Sequence, residues 1–240
     1  MSDPGIPDLT ARLRIRRRRG RGRRLRPLLL ALVALAVAAS VAYVVRFSPV
    51  FDVRTVEVRG AAMVGADAVR ARADVPSGVP LASVDASAVA QRVAGLPPVA
   101  RAQVTRTWPH TITIDVTERT PVFQRVDGHH YQWVDDQGVI FHDSTTADPK
   151  LPQVATPSVD NALLTDVATV VTSLPGDLRG QVAGITAVTR DDIVLILKDH
   201  RRVVWGSADS SPLKAQVTLA LLHVRASVYD VSSPANPTSR

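Results

Sequence analysis

Three groups of residues in this 240-residue chain have types and spacings that could do chemistry. Ser211-Pro212-Leu213-Lys214 spells S-x-x-K, the spacing that sets a serine nucleophile beside a lysine in penicillin-binding enzymes. The S-D-N and K-T-G partners of that motif are absent, and Ser211-Pro212 reads as a helix N-cap with proline at the first helical position. His129, His130 and His142 invite a metal reading, but their spacing matches no ligand motif. Asp135-Asp136 and Asp191-Asp192 look like paired carboxylates. Both pairs sit in expected turns, where aspartate caps the backbone. There is no cysteine, which excludes disulfides, thiolate metal sites and cysteine nucleophiles. G-x-S-x-G, P-loop and G-x-G-x-x-G patterns are missing too. The expectation is a protein without catalysis, cofactor or metal.

Charge is distributed unevenly along the elements that would carry any site. Residues 1–26 hold ten arginines against two aspartates, so of the chain's +7 they carry +8 and the rest carries −1. A basic tail precedes a nearly neutral body, and neither has the aromatic interleaving of a nucleic-acid surface. From Pro27 to Val45 no residue is charged. Nineteen helical residues rise about 28 Å, the thickness of a bilayer's hydrocarbon core. The arginines beside this run, Arg16, Arg17, Arg18, Arg19, Arg21, Arg23, Arg24 and Arg26 among them, set topology by the positive-inside rule. They place residues 1–26 in the cytoplasm and residues 46–240 outside. Ala36-Val37-Ala38 resembles a signal-peptide cleavage site, which keeps a secreted product open as an alternative.

Beyond the apolar run the pattern is α+β. "VRTVEVRG" alternates at Val56 and Val58 and stops at Gly60, as a strand does. Val64, Ala68, Ala71 and Val75 then form a helical stripe. Val89, Val93 and Leu96 form a second one behind an Asp85 N-cap. "ARAQVTRTW" reads as a strand, "WPHT" as a turn, and Thr111–Glu118 as a strand with Ile112, Ile114 and Val116 on one face. Arg54, Arg59, Arg101 and Arg106 can guard the edges of that small sheet. Residues 120–234 read as a strand-rich module with two helices. Its strands fall at Val122–Val126, Tyr131–Val134, Val139–Phe141, Val182–Thr189, Ile193–Lys198, Arg201–Trp205 and Ser227–Val231. The helices carry Leu163 to Leu174 and Leu213 to Val224. "SSPANPTSR" reads as a disordered end.

In this order the pieces resemble the FtsQ/DivIB family of bacterial cell-division proteins. A basic tail and one apolar helix lead into "FDVRTVEVRG"; "LPPVARAQVTRTWPHTITIDVTERTPV" follows two helices; "WVDDQGVIF", "LPQV", "RVVWG" and "VYDVSSPANP" come last. The run from Leu96 to Pro121 is the most specific part. Ala61 departs from the pattern, because the family often has Asn after that glycine. The resemblance implies a cytoplasmic tail at 1–26, a transmembrane helix at 27–45, a POTRA domain of β-α-α-β-β order at 51–119, an FtsQ-type β-domain at 120–234 and an unstructured end at 235–240. It implies a non-catalytic, single-pass scaffold of the divisome, acting at the septum and linking early and late division proteins. Its implied partners are FtsB/DivIC- and FtsL-type division proteins and other divisome membrane proteins, with no nucleic acid and no small-molecule substrate. The implied docking edge matches Ser227, Val228, Tyr229, Asp230, Val231 and Ser232. On this reading the side chains of Val228 and Val231 select the partner, and Val231→Pro leaves the fold largely intact while disrupting partner binding. The alternative is a secreted or membrane-anchored POTRA-type binding module unrelated to division.

Overall fold

The computed structural model describes residues 27–44 and 49–240. The arginines of the tail, Val45 and Phe47 lie outside the described residues. Helix α1 spans Pro27–Val44, eighteen residues or about 27 Å. Every one of its side chains is exposed, so this apolar surface has no protein core to enter. An apolar helix with satisfied backbone and no protein cover suits lipid, not water.

A short 3-10 turn, Pro49–Phe51, precedes β1 (Thr55–Arg59). Then come α2 (Ala66–Ala73), α3 (Ala86–Ala94), β2 (Val99–Thr107) and β3 (Thr111–Glu118). The three strands form one sheet in the order β1-β3-β2, with β3 central. Central placement suits β3, whose Ile112, Thr113, Ile114 and Val116 are all buried. Asp85 caps α3, its Oδ1 accepting from the amides of Ser87 and Ala88 at 3.0 and 3.1 Å. The α2 stripe differs from the expected one: Val69 and Ala73 are buried instead. Gly65 has φ +80°, so the helix starts only after it. Val64 stays outside, its amide and that of Met63 both donating to Glu118 Oε1.

The remaining chain forms a nine-stranded sheet in the order β12-β11-β10-β9-β8-β7-β4-β5-β6. Its strands are β4 (Phe123–Asp127), β5 (His130–Val134), β6 (Ile140–Ser144), β7 (Gln153–Ala155), β8 (Val182–Ala187), β9 (Ile193–Leu197), β10 (Arg202–Gly206), β11 (Val228–Asp230) and β12 (Thr238–Ser239). Hairpins make the antiparallel pairs. Of the three parallel pairs, β7–β8 and β10–β11 cross over through helices, α4 (Asn161–Ser173) with the short α5 (Gly176–Arg179) and α6 (Ser211–Leu221), while β4–β7 crosses over through β5 and β6. Leu163, Leu164, Val167, Val170 and Val171 of α4 join Phe123, Ile185, Leu195, Val203, Trp205 and Tyr229 in one core.

The chain divides into two compact units. One comprises the described residues up to Glu57 with Asp74–Val89 and Val104–Ile114; the other comprises Val58–Ala73, Ala90–Gln103 and Asp115–Arg240. Within the second unit, one ion pair ties distant segments. The Arg119 guanidinium donates to Asp135 Oδ2, and both side chains are largely buried. Arg119 Nε also donates to Pro97 O (3.1 Å) and its amide to Pro98 O (2.8 Å). The other Asp135 oxygen accepts from the amides of Gln137 (3.0 Å) and Val139 (2.8 Å), closing the β5–β6 turn. That turn requires Gly138: its φ is +73°, and a Cβ would lie 2.6 Å from Asn161 O. Gly60 is constrained in the same way, with φ +76° and a Cβ position 2.1 Å from Val116 O. Arg119→Ala should cost about 3–5 kcal/mol, because it leaves the Asp135 carboxylate buried without its cation. Chemical unfolding of the purified chain in detergent measures this; a loss below about 1 kcal/mol would show the pair to be dispensable.

Candidate functional site

The candidate site is the end of the large sheet at β11. Strand β11 reaches that position through α6, which begins after Ser210 in a left-handed conformation (φ 55°). The helix therefore caps one residue earlier than the Ser-Pro pair suggests. Ser211 lies inside it and is buried: its Oγ donates to Ala208 O (2.7 Å) and accepts from Trp205 Nε1 (3.0 Å). Lys214 Nζ donates to Ser207 O (2.8 Å), and burial lowers the pKa of its ammonium. The S-x-x-K residues thus spend their polar atoms on holding the β10–α6 connection.

Strand β11 pairs parallel with β10, Val228 opposite Arg202 and Asp230 opposite Val204. Arg202 N donates to Ser227 O and Val231 N donates to Val204 O, each at 3.0 Å. Tyr229 is fully buried and clasped at its hydroxyl, which donates to Val224 O (2.7 Å) and accepts from Arg201 Nη1 (2.7 Å). The Arg201 guanidinium carbon lies 5.5 Å from the Tyr229 ring centre, and Asp199 holds its Nε at 2.6 Å. That phenol contact heads the causes that raise the Arg201 pKa. Asp230 Oδ1 accepts from Ser232 N and Oγ, turning the chain away after the strand.

Two features of this edge differ from the sequence expectation. Val231 is buried among the core residues, so its side chain cannot read a partner. The segment after it is ordered at its end: Thr238 pairs with Asp230 and Ser239 with Tyr229, antiparallel, as β12. Val228 N donates to Arg240 O and Arg240 N donates to Val228 O, both at 2.9 Å. Arg240 O also receives Ser227 N (2.9 Å) and Ser227 Oγ (3.1 Å). The expectation of an unstructured 235–240 is corrected accordingly. The outward groups of β11 need partners, and "TSR" supplies them without burying a side chain, since Thr238, Ser239 and Arg240 are all exposed. Apolar alternation, the usual signal of a strand, is missing there.

The sheet's other end is β6. There Asp143 accepts from His130 Nδ1 (2.6 Å) and Gln132 Nε2 (3.3 Å), and the His130 contact holds the Asp143 carboxyl below the usual carboxylate range. His142 instead packs on the Trp133 ring, 4.5 Å between centres. Asp192 closes the β8–β9 turn through backbone bonds to Val188 and Thr189. A carboxylate–histidine hydrogen bond thus marks one end of the sheet, whereas a two-residue strand of hydroxyl side chains closes the other.

With this geometry in view, comparison with known proteins is informative. Residues 51–119 match the family model for the FtsQ-type POTRA domain, and residues 123–231 match that for the FtsQ/DivIB C-terminal region. The cell-division protein FtsQ of Streptomyces collinus is 35% identical over 218 residues, which cover 84% of this chain and 83% of that one. FtsQ of Streptomyces venezuelae is 33% identical over 201 residues, covering 79% and 74%. The chain belongs to the FtsQ/DivIB family of cell-division proteins. FtsQ of Mycolicibacterium smegmatis is 39% identical over 208 residues, but this chain spans only 61% of its length, and 65% of the Mycobacteroides abscessus relative. A solved structure, the major extracytoplasmic domain of DivIB from Geobacillus stearothermophilus, overlaps 45% of this chain at 17% identity with a TM-score of 0.34, too low to carry an argument. The apolar α1 and the family's outer domains fit a single-pass membrane protein.

Val231→Pro removes a ladder donor and a buried side chain together. It should lower folding stability by about 3 kcal/mol, contrary to the sequence expectation that it spares the fold. Thermal unfolding of the variant beside the wild-type chain checks this; an unchanged midpoint would mean that Val231 is not built into the core.

Proposed function

We propose that this FtsQ/DivIB-family chain is a non-catalytic scaffold of the divisome, with residues 1–26 in the cytoplasm and its outer domains on the far side of the membrane. The proposed organisation keeps a transmembrane helix at 27–45, a POTRA domain at 51–119 and a β-domain at 120–234. The basic tail sets the topology. Its partners are FtsB/DivIC- and FtsL-type membrane proteins, met at the septum, and its role is to link early and late division proteins.

One observation supports this most directly: the β11 end of the large sheet is closed only by the brief pairing of Thr238–Arg240. A partner strand can extend or replace so short a closure through main-chain hydrogen bonds alone. The recognition surface is the backbone of Val228 and Asp230 with the side chains that border it. Tyr229 and Val231 face inward and hold the strand in place.

A fluorescent protein fused to residue 1 should form a ring at mid-cell in dividing cells. Uniform membrane fluorescence would contradict the division role and favour a POTRA-type module with another task. A photo-reactive residue at Ser239 should cross-link to the FtsB/DivIC-type protein, and one at Ser144 on β6 should not. The reverse pattern would move the docking edge to the opposite end of the sheet.

A further inference from the structure

The first unit carries an exposed aromatic tip. Strands β2 and β3 are joined through Trp108, Pro109 and His110. Turns in water favour Gly, Asn, Asp and Ser, whereas this one presents Trp108, 48% exposed, next to an exposed proline. Phe51 braces the indole edge-on, 5.4 Å between ring centres at 77°. Its chain neighbour Val50 is 59% exposed. The surroundings are polar and cationic: Thr107 precedes the tip, and the exposed Arg54 joins it through its amide, which donates to His110 O at 2.9 Å. An exposed indole at a polar tip matches the setting of a membrane–water interface, where tryptophan concentrates.

Chain length limits what this patch can meet. Val44 ends α1, and Val50 follows after only five intervening residues. Six Cα steps span at most about 21 Å even when fully extended. Because Phe51 follows Val50 and contacts Trp108, this short connection ties the aromatic tip to the end of α1.

We propose that Trp108, braced by Phe51 and accompanied by Val50, seats in the phospholipid headgroup–acyl boundary of the bilayer that α1 spans. The occupant is lipid, and the seat fixes how the first unit stands on the membrane. The inference rests on α1 crossing the bilayer and is independent of the division role.

The test uses the full chain in phosphatidylcholine–phosphatidylglycerol nanodiscs, with and without bromine on the acyl carbons nearest the headgroup. The chain has three tryptophans, none of them in α1, and Trp205 is fully buried. Bromolipid should quench the share of emission that Trp108 contributes, and Trp108→Gln should abolish that quenching while leaving the thermal midpoint unchanged. Val50→Gln, which keeps the indole, should weaken the quenching. Equal quenching in wild type and Trp108→Gln would overturn the proposal. So would an absence of quenching in a wild-type chain that incorporates into the discs, a result that would leave the membrane role of α1 standing.

Discussion

The Asp135 carboxylate joins separate segments of the second unit. It accepts the Arg119 guanidinium with one oxygen and two turn amides with the other. Arg119 in turn holds the carbonyls of Pro97 and Pro98. A buried charge is costly unless it is both paired and hydrogen-bonded. Here every contact that meets this cost also positions chain: the end of α3, the exit from β3 and the turn between β5 and β6. Gly138 is part of the same arrangement, because only a residue without Cβ lets that turn approach α4.

From this frame the large sheet runs outward in both directions, and its two ends are treated differently. At β6 a carboxylate and a histidine stand on the margin. At β11 the strand is fixed on its inner side by β10 and by the buried Tyr229, whose hydroxyl links Arg201 to Val224 O. Its outer side meets only a few main-chain bonds from exposed residues. A strand held firmly on one side and lightly on the other is a prepared template for main-chain pairing.

Much of this was legible in the sequence, and the failures have specific causes. The alternation of Ile112, Ile114 and Val116 foretold β3, and the helical spacing of Leu163 to Leu174 foretold α4 and its buried face. Both signals come from burial, which local periodicity records. The segments ending in "TERTPV" and reading "WVDDQGVIF" were visible separately. Their joining through Arg119 and Asp135 was not, because sixteen residues separate the partners and no periodicity links them. The α2 stripe failed because Gly65 and Asp74, both at positive φ, bound the helix and leave Val64 and Val75 outside it, and the face it buries carries Val69 and Ala73. Strand β12 left no apolar trace, since it contributes backbone and buries nothing. Within the segment read as the docking edge, Val231 was assigned outward, whereas its side chain is buried in the core.

The most direct measurement is hydrogen exchange of the full chain in nanodiscs, with and without an FtsB/DivIC-type partner. If the β11 end is the docking edge, the partner slows exchange across 227–240 and leaves β6 at 140–144 unchanged. Protection confined to 140–144, or to residues 51–119, would contradict the account.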